Sequence, residues 1–123
     1  SEVEAYRQDD ETKRRIAHSF AGWGIPTARA LSDVRAALPT IPVIASGGIR
    51  TGIDAAKAVR LGADLVGMAA PALGSATETA KAVQNSMSAV AEELKIAMFC
   101  TGSRDIGALR QAVLLRTADG STL

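Results

Sequence analysis

An α/β domain built on a parallel sheet is the fold class this sequence predicts, and three observations predict it. Stretches with apolar residues at three- and four-residue spacing alternate with short, wholly apolar runs. Each run closes in glycine or alanine, and the links between elements are short.

Taken in order, the first strong helix is 27–38. Pro26 suits a helix start, Ala30, Leu31, Val34, Ala37 and Leu38 recur on one face, and Pro39 and Pro42 bracket the end. Val43-Ile44-Ala45 is a strand closed by Ser46-Gly47-Gly48. Its lack of polar alternation predicts burial on both faces. Helical spacing returns over 52–61 through Ile53, Ala56, Ala58 and Val59, with Gly62 suited to the position just past the helix end. Residues 64–68 form a second buried strand. A long helix over 76–98 carries Ala80, Val83, Met87, Val90, Ala91, Leu94, Ala97 and Met98 on one stripe. Ser103-Arg104-Asp105 reads as the capping region of a further helix.

Composition bounds the function. The chain has 123 residues, 47% apolar and 22% charged, with a net charge of +1. This is a soluble, globular balance with no general electrostatic reason to bind nucleic acid or an anionic membrane. No apolar run approaches the ~18 residues of a spanning helix, and the start, SEVEAYRQDD, is too polar for a secretory signal. One cysteine, Cys100, excludes an intrachain disulfide framework and a multi-cysteine zinc site. A reducing, cytoplasmic setting is expected.

The chemistry concentrates at two strand-to-helix links, SGGIRTG after the first strand and GMAAPAL after the second. Amides at a helix start lack intrahelical acceptors, and the helix dipole adds partial positive charge beside them. Gly47 and Gly48 let an oxygen approach the backbone, Arg50 offers paired donors to phosphate, and Pro71 suits a first helical turn. Two such links in sequence could share one phosphate dianion, as after the last two strands of a (β/α)8 barrel. The plain alternative is a tight Gly-Gly turn beside a solvated arginine.

The segment ASGGIRTGIDAAKAVRLGADLVGMAAP (45–71) resembles the last two strand-helix units of FMN-binding TIM barrels. By itself it would suit IMP dehydrogenase-like enzymes, 2-hydroxyacid oxidisers or type 2 isopentenyl-diphosphate isomerases. FAGWGIPTARAL (20–31), LKIAMFCTGSRDIGALR (94–110) and VEAYR (3–7) resemble the isomerase family specifically. The resemblance implies that Gly47, Gly48, Ile49, Arg50, Ala69 and Ala70 contact the FMN phosphate. Ala70 departs from relatives that carry Arg before the proline.

The resemblance further implies interconversion of isopentenyl and dimethylallyl diphosphate. It implies FMN reduced by NADPH, Mg²⁺ on the substrate diphosphate, and flavin-assisted proton transfer at the alkene with no net redox change. Metal and acid/base residues would sit on earlier strands. With two strands against the eight of a closed barrel, residues 1–123 are expected to be the C-terminal portion of a single FMN-binding TIM-barrel domain. Alone they are expected to be inactive, and homo-oligomeric assembly is expected of the whole. The rival readings are an FMN-dependent oxidoreductase and a non-catalytic phosphate-binding half-barrel that assembles with a partner. Residues 8–19, which include QDDETKRR, are expected to form a flexible loop near the site mouth.

The remaining candidates are open to plainer readings. His18 is a surface histidine or a proton-transfer group; hydroxyacid oxidisers carry Arg three residues after theirs, where this chain has Ala21. Cys100 is expected to be a small buried residue, since no partner stabilising a thiolate is evident. Trp23, between Gly22 and Gly24, is either packed over the barrel end or an aromatic lid over a prenyl chain.

Overall fold

A computed structural model describes residues 11–69 and 79–115. Their order is α1 (Glu11–Ser19), α2 (Thr27–Ala37), β1 (Ile44–Ala45), α3 (Gly52–Arg60), β2 (Leu65–Val66), α4 (Ala80–Cys100) and α5 (Ile106–Leu109). The segments 1–10, 70–78 and 116–123, with VEAYR, Ala70 and Pro71 among them, lie outside the described residues.

β1 and β2 pair in parallel, Ile44 opposite Leu65 and Ala45 opposite Val66. Successive strand residues face opposite ways, and the register sorts them cleanly. Ala45 is 5% exposed and Val66 packs on the same cluster. Ile44 and Leu65 are 65% and 63% exposed on the other face. The strands expected to be buried on both faces are therefore covered on one. The helices pack on that side alone, and no described element lies over Ile44 and Leu65.

α3 is the centre of the packing. Ala55 and Ala58 join Leu31, Ala45, Ile49 and Ala63 in one cluster. Ala56 and Val59 meet Leu109, with Leu94, Ala97 and Met98 of α4 against them. Small residues on two faces of one helix let the sheet and α4 both come close. Ile53, expected on the buried stripe, is 53% exposed instead. Helix α4 shows the same partial match. Val90, Leu94, Ala97 and Met98 turn inward, whereas Ala80, Met87 and Ala91 are exposed.

Helix ends follow local chemistry. Pro26 is the N-cap of α2 and its carbonyl accepts from Ala30 N–H at 2.9 Å. Asp105 caps α5 by accepting from Ala108 N–H at 2.7 Å, as its sequence position suggests. At the end of α3, Gly62 has φ +116, and a Cβ there would meet Arg35 Cγ at 2.7 Å. Glycine is required twice over, for the left-handed turn and for the arginine.

Residues 11–19 are helical where a loop is expected. α1 buries no side chain. Glu11 lies in its first turn and His18 in its last, and good helix formers fill the middle.

Candidate functional site

The parallel register brings the two Gly/Ala links to the same end of the sheet. Gly48 follows Ala45 by three residues and Ala69 follows Val66 by three, and Ala45 and Val66 are partners. Gly47 and Gly48 take φ +90 and +76, a region closed to most side chains. A Cβ at Gly48 would meet nothing within 4 Å, so the backbone there faces open space. Ile49 anchors the turn by its side chain, 8% exposed in the core. Its neighbour Arg50 is exposed.

Thr27, the first residue of α2, donates its hydroxyl to Gly47 O at 2.9 Å. That bond ties the turn to α2. On the other side Thr51 and Asp54 form a capping box at the start of α3. Thr51 Oγ1 accepts from Asp54 N–H at 3.2 Å. Asp54 Oδ2 accepts from the amides of Arg50 and Thr51, both at 3.1 Å. Partial burial pushes the Asp54 carboxyl up, but the Arg50 amide, the Thr51 hydroxyl and amide, and the Lys57 charge outweigh it. The net direction is down, so Asp54 holds its charge here. The pattern Thr-x-x-Asp at 51–54 is legible in the sequence, though its consequence is not.

That consequence corrects the helix-start argument for the first link. Asp54 takes the amides of Arg50 and Thr51, and Glu93 of α4 accepts from Gly52 N–H. Two carboxylates thus occupy donors at the positive end of α3. What stays open lies mostly one step earlier. Among the described residues the amides of Gly47, Gly48 and Ile49 have no acceptor, and neither does that of Ile53 in the first turn of α3. A phosphate at this link would therefore find the Gly47, Gly48 and Ile49 amides and the Arg50 guanidinium, while in the first turn of α3 the Ile53 amide alone is left without an acceptor among the described residues. Gly47, Gly48, Ile49 and Arg50 are brought together as expected. Ala69 is exposed and is the last described residue of the second link, and Ala70 lies outside the described residues.

The other candidates stand apart from this turn. His18 is exposed on α1. Trp23 is 81% exposed and, among the rings of the described residues, meets the edge of Phe20, with centroids 5.9 Å apart. Cys100 is exposed rather than buried, because the last turn of α4 runs past the α3 contact. Among the described residues no three His, Cys, Asp or Glu side chains gather as a metal site would require.

Comparison with known proteins places this geometry. Residues 23–116 match the sequence model of the FMN-dependent dehydrogenase family. The chain is 52% identical over 117 residues to the isopentenyl-diphosphate delta-isomerase of Cronobacter sakazakii, covering 95% of this chain and 34% of that protein. It is 55% identical over 114 residues to the enzyme of the same name from Stutzerimonas stutzeri, covering 93% and 33%. Among solved structures, a mandelate oxidase with a monooxide FMN adduct superposes with a TM-score of 0.69 at 32% identity. That match covers 73% of this chain and 29% of the oxidase. The chain thus spans about a third of the length of the curated relatives it matches. With the family match running from Trp23 through α5 and across both links, the chain belongs to the FMN-dependent dehydrogenase family.

Proposed function

We propose that this chain forms the flavin-phosphate end of an FMN-dependent, type 2 isopentenyl-diphosphate delta-isomerase, within the last strand-helix units of a (β/α)8 barrel. The observation that carries the proposal is the identity of 52% and 55% to two proteins of that name over nearly all of this chain. The turn fits the cofactor's tail. Two open amides at Gly48 and Ile49, a backbone free of Cβ at Gly48, and an exposed arginine match a phosphate dianion.

In this reading Gly48 and Ile49 donate their N–H groups to phosphate oxygens, and Arg50 adds a fixed charge. Ala69 contributes backbone from the second link, and Gly47 from the first. Thr27 and Asp54 hold the turn in shape so that ligand binding costs little ordering. Reduced FMN would supply acid/base chemistry at the alkene of the substrate, with NADPH as its reductant. The described residues do not fit Mg²⁺, since no ligand cluster is present among them. The metal would be held by other parts of the enzyme, and no step is assigned through it.

The proposal includes a cytoplasmic, homo-oligomeric enzyme. A single cysteine and balanced charge support the compartment. Phe99 and Ile96, 86% and 61% exposed on α4, support burial against other polypeptide. No described helix is long and apolar enough to cross a membrane.

The second reading, an FMN-dependent oxidoreductase of hydroxyacids, is favoured by the mandelate oxidase superposition. It sits at lower identity than the isomerases, and Ala21 occupies the position where such oxidases carry arginine. One assay separates the two. The enzyme carrying this segment, given reduced FMN and Mg²⁺, is expected to convert isopentenyl to dimethylallyl diphosphate without stoichiometric NADPH consumption. Net oxidation of a 2-hydroxyacid without isomerisation would overturn the proposal.

A further inference from the structure

The α3–α4 contact is closer than packing alone requires, and it lies directly beside the phosphate turn. Gly52, the first residue of α3, is buried, and a Cβ there would collide with Val90 O and Leu94 N of α4. Backbone therefore lies against backbone at this crossing. At the same point Glu93, half-buried on α4, accepts the Gly52 N–H. Glu93 belongs to the inward face by its spacing from Val90 and Ala97, yet it is the carboxylate in an otherwise apolar stripe.

From this geometry we infer that Glu93 is a positioning residue for the phosphate grip. It clamps the start of α3 to α4 and so sets where the Gly48 and Ile49 amides and Arg50 point. The inference rests on the flavin-phosphate reading above and adds a residue on a different element. Two features make the clamp specific to the turn. Asp54 already ties Arg50 and Thr51 to the first turn of α3, so the turn moves as one piece with Gly52. Thr27 holds the other end of the turn at Gly47 O, so displacement at Gly52 must be absorbed at Gly48 and Ile49, of which Gly48 already sits at φ +76. Capping the Gly52 donor with a protein carboxylate also withholds it from the ligand, which favours a phosphate on the open amides of the Gly47–Ile49 turn.

The test uses the enzyme that carries this segment, with FMN and riboflavin as paired probes, because riboflavin lacks the phosphate. Glu93→Gln keeps an acceptor oxygen, Glu93→Asp withdraws it by one methylene, and Glu93→Leu removes it. The expected result is FMN affinity lowered roughly tenfold in the Asp and Leu variants, with riboflavin affinity unchanged and the Gln variant at or above the parent. Equal losses for FMN and riboflavin in the Asp variant, or no loss of FMN affinity in it, would overturn the positioning role. The Asp variant keeps charge and near-native volume, so it remains readable if the Leu variant does not fold. A parent enzyme that binds FMN no more tightly than riboflavin would refute the phosphate-grip reading itself, a result distinct from either outcome for Glu93.

Discussion

Arg35 and Asp64 meet at 2.7 Å between Nη2 and Oδ2, and this pair joins the two turns that enter the sheet. The same guanidinium donates to Gly62 O from both Nε and Nη2 and to Pro39 O and Ile41 O from Nη1. Asp64 Oδ2 also accepts from Val43 N–H at 2.8 Å, and Arg110 Nη1 stands 3.5 Å from Oδ1. One planar fork thus satisfies the carbonyls that precede β1 and β2, at the end of the sheet opposite the phosphate turn. A lysine, with one compact ammonium, could not reach the same set. Replacing Arg35 by Lys is expected to destabilise the protein by about 2 kcal/mol, read as a lower denaturant midpoint, with FMN affinity retained.

The Val43 amide, and then the Arg35 guanidinium, hold the Asp64 carboxyl below the usual carboxylate range. A depressed folded-state pKa stabilises above the unfolded value and loses that contribution as pH falls. The unfolded value lies at about 3.9. The Asp64 contribution is therefore expected to be complete at neutral pH and to disappear on acidification below about pH 4. Asp64→Asn should flatten the acid limb of stability against pH. An acid limb identical to the parent's would refute it.

Gly52→Ala places a methyl group against α4 backbone, where no side-chain rotation relieves the collision. Overpacking of this kind costs about 1–3 kcal/mol, so the melting temperature should fall. Because α3 must shift to accommodate it, FMN affinity should fall too. Gly22→Ala, where a Cβ meets nothing within 4 Å, serves as the steric control and should change neither quantity.

At the turn itself, Gly48→Ala is expected to lower stability by about 1–2 kcal/mol from its positive φ alone, since the space around it is open. Arg50→Ala, on an exposed side chain, should leave stability nearly unchanged. It should weaken FMN roughly tenfold in a salt-dependent manner and leave riboflavin untouched. Titration of flavin fluorescence measures both.

Trp23 is the single tryptophan of this chain and is 81% exposed. If α1 and the following turn close over a prenyl diphosphate, its ring gains apolar cover. Tryptophan difference spectra between the parent and Trp23→Phe should then show a blue shift on adding substrate to the FMN-loaded enzyme. Cleavage by trypsin within 8–19 should slow under the same conditions. No shift, together with an unchanged cleavage rate, would refute closure.

Much of the fold is legible along the chain because it is specified locally. Proline at 26, glycine at 62 and the Thr51–Asp54 box each act over one turn of backbone, and the helices they bound fall within a few residues of their expected ends. The candidate turn is equally local, since Gly47 and Gly48 need only their own φ values. Misses arise where a neighbour decides. Residues 11–19 carry no apolar stripe to mark a helix in so charged a segment, and the exposure of Cys100 depends on how far α4 outruns α3.

Glu93 shows the boundary most clearly. Spacing from Val90 and Ala97 puts Glu93 on the inward face and leaves Glu92 outside, where it pairs with Lys95 at 3.0 Å, but nothing near position 93 says what Glu93 meets there. Its meaning comes from Gly52, forty-one residues earlier, and only the crossing of α3 with α4 brings the two together. The run of residues specifies an α/β alternation, a parallel pair and a Gly-Gly-Ile-Arg turn, because periodicity and backbone permission are properties of adjacent residues. That the Gly52 amide is closed to a phosphate is decided by Glu93 arriving from α4, because a hydrogen bond across elements exists only once packing has set its length.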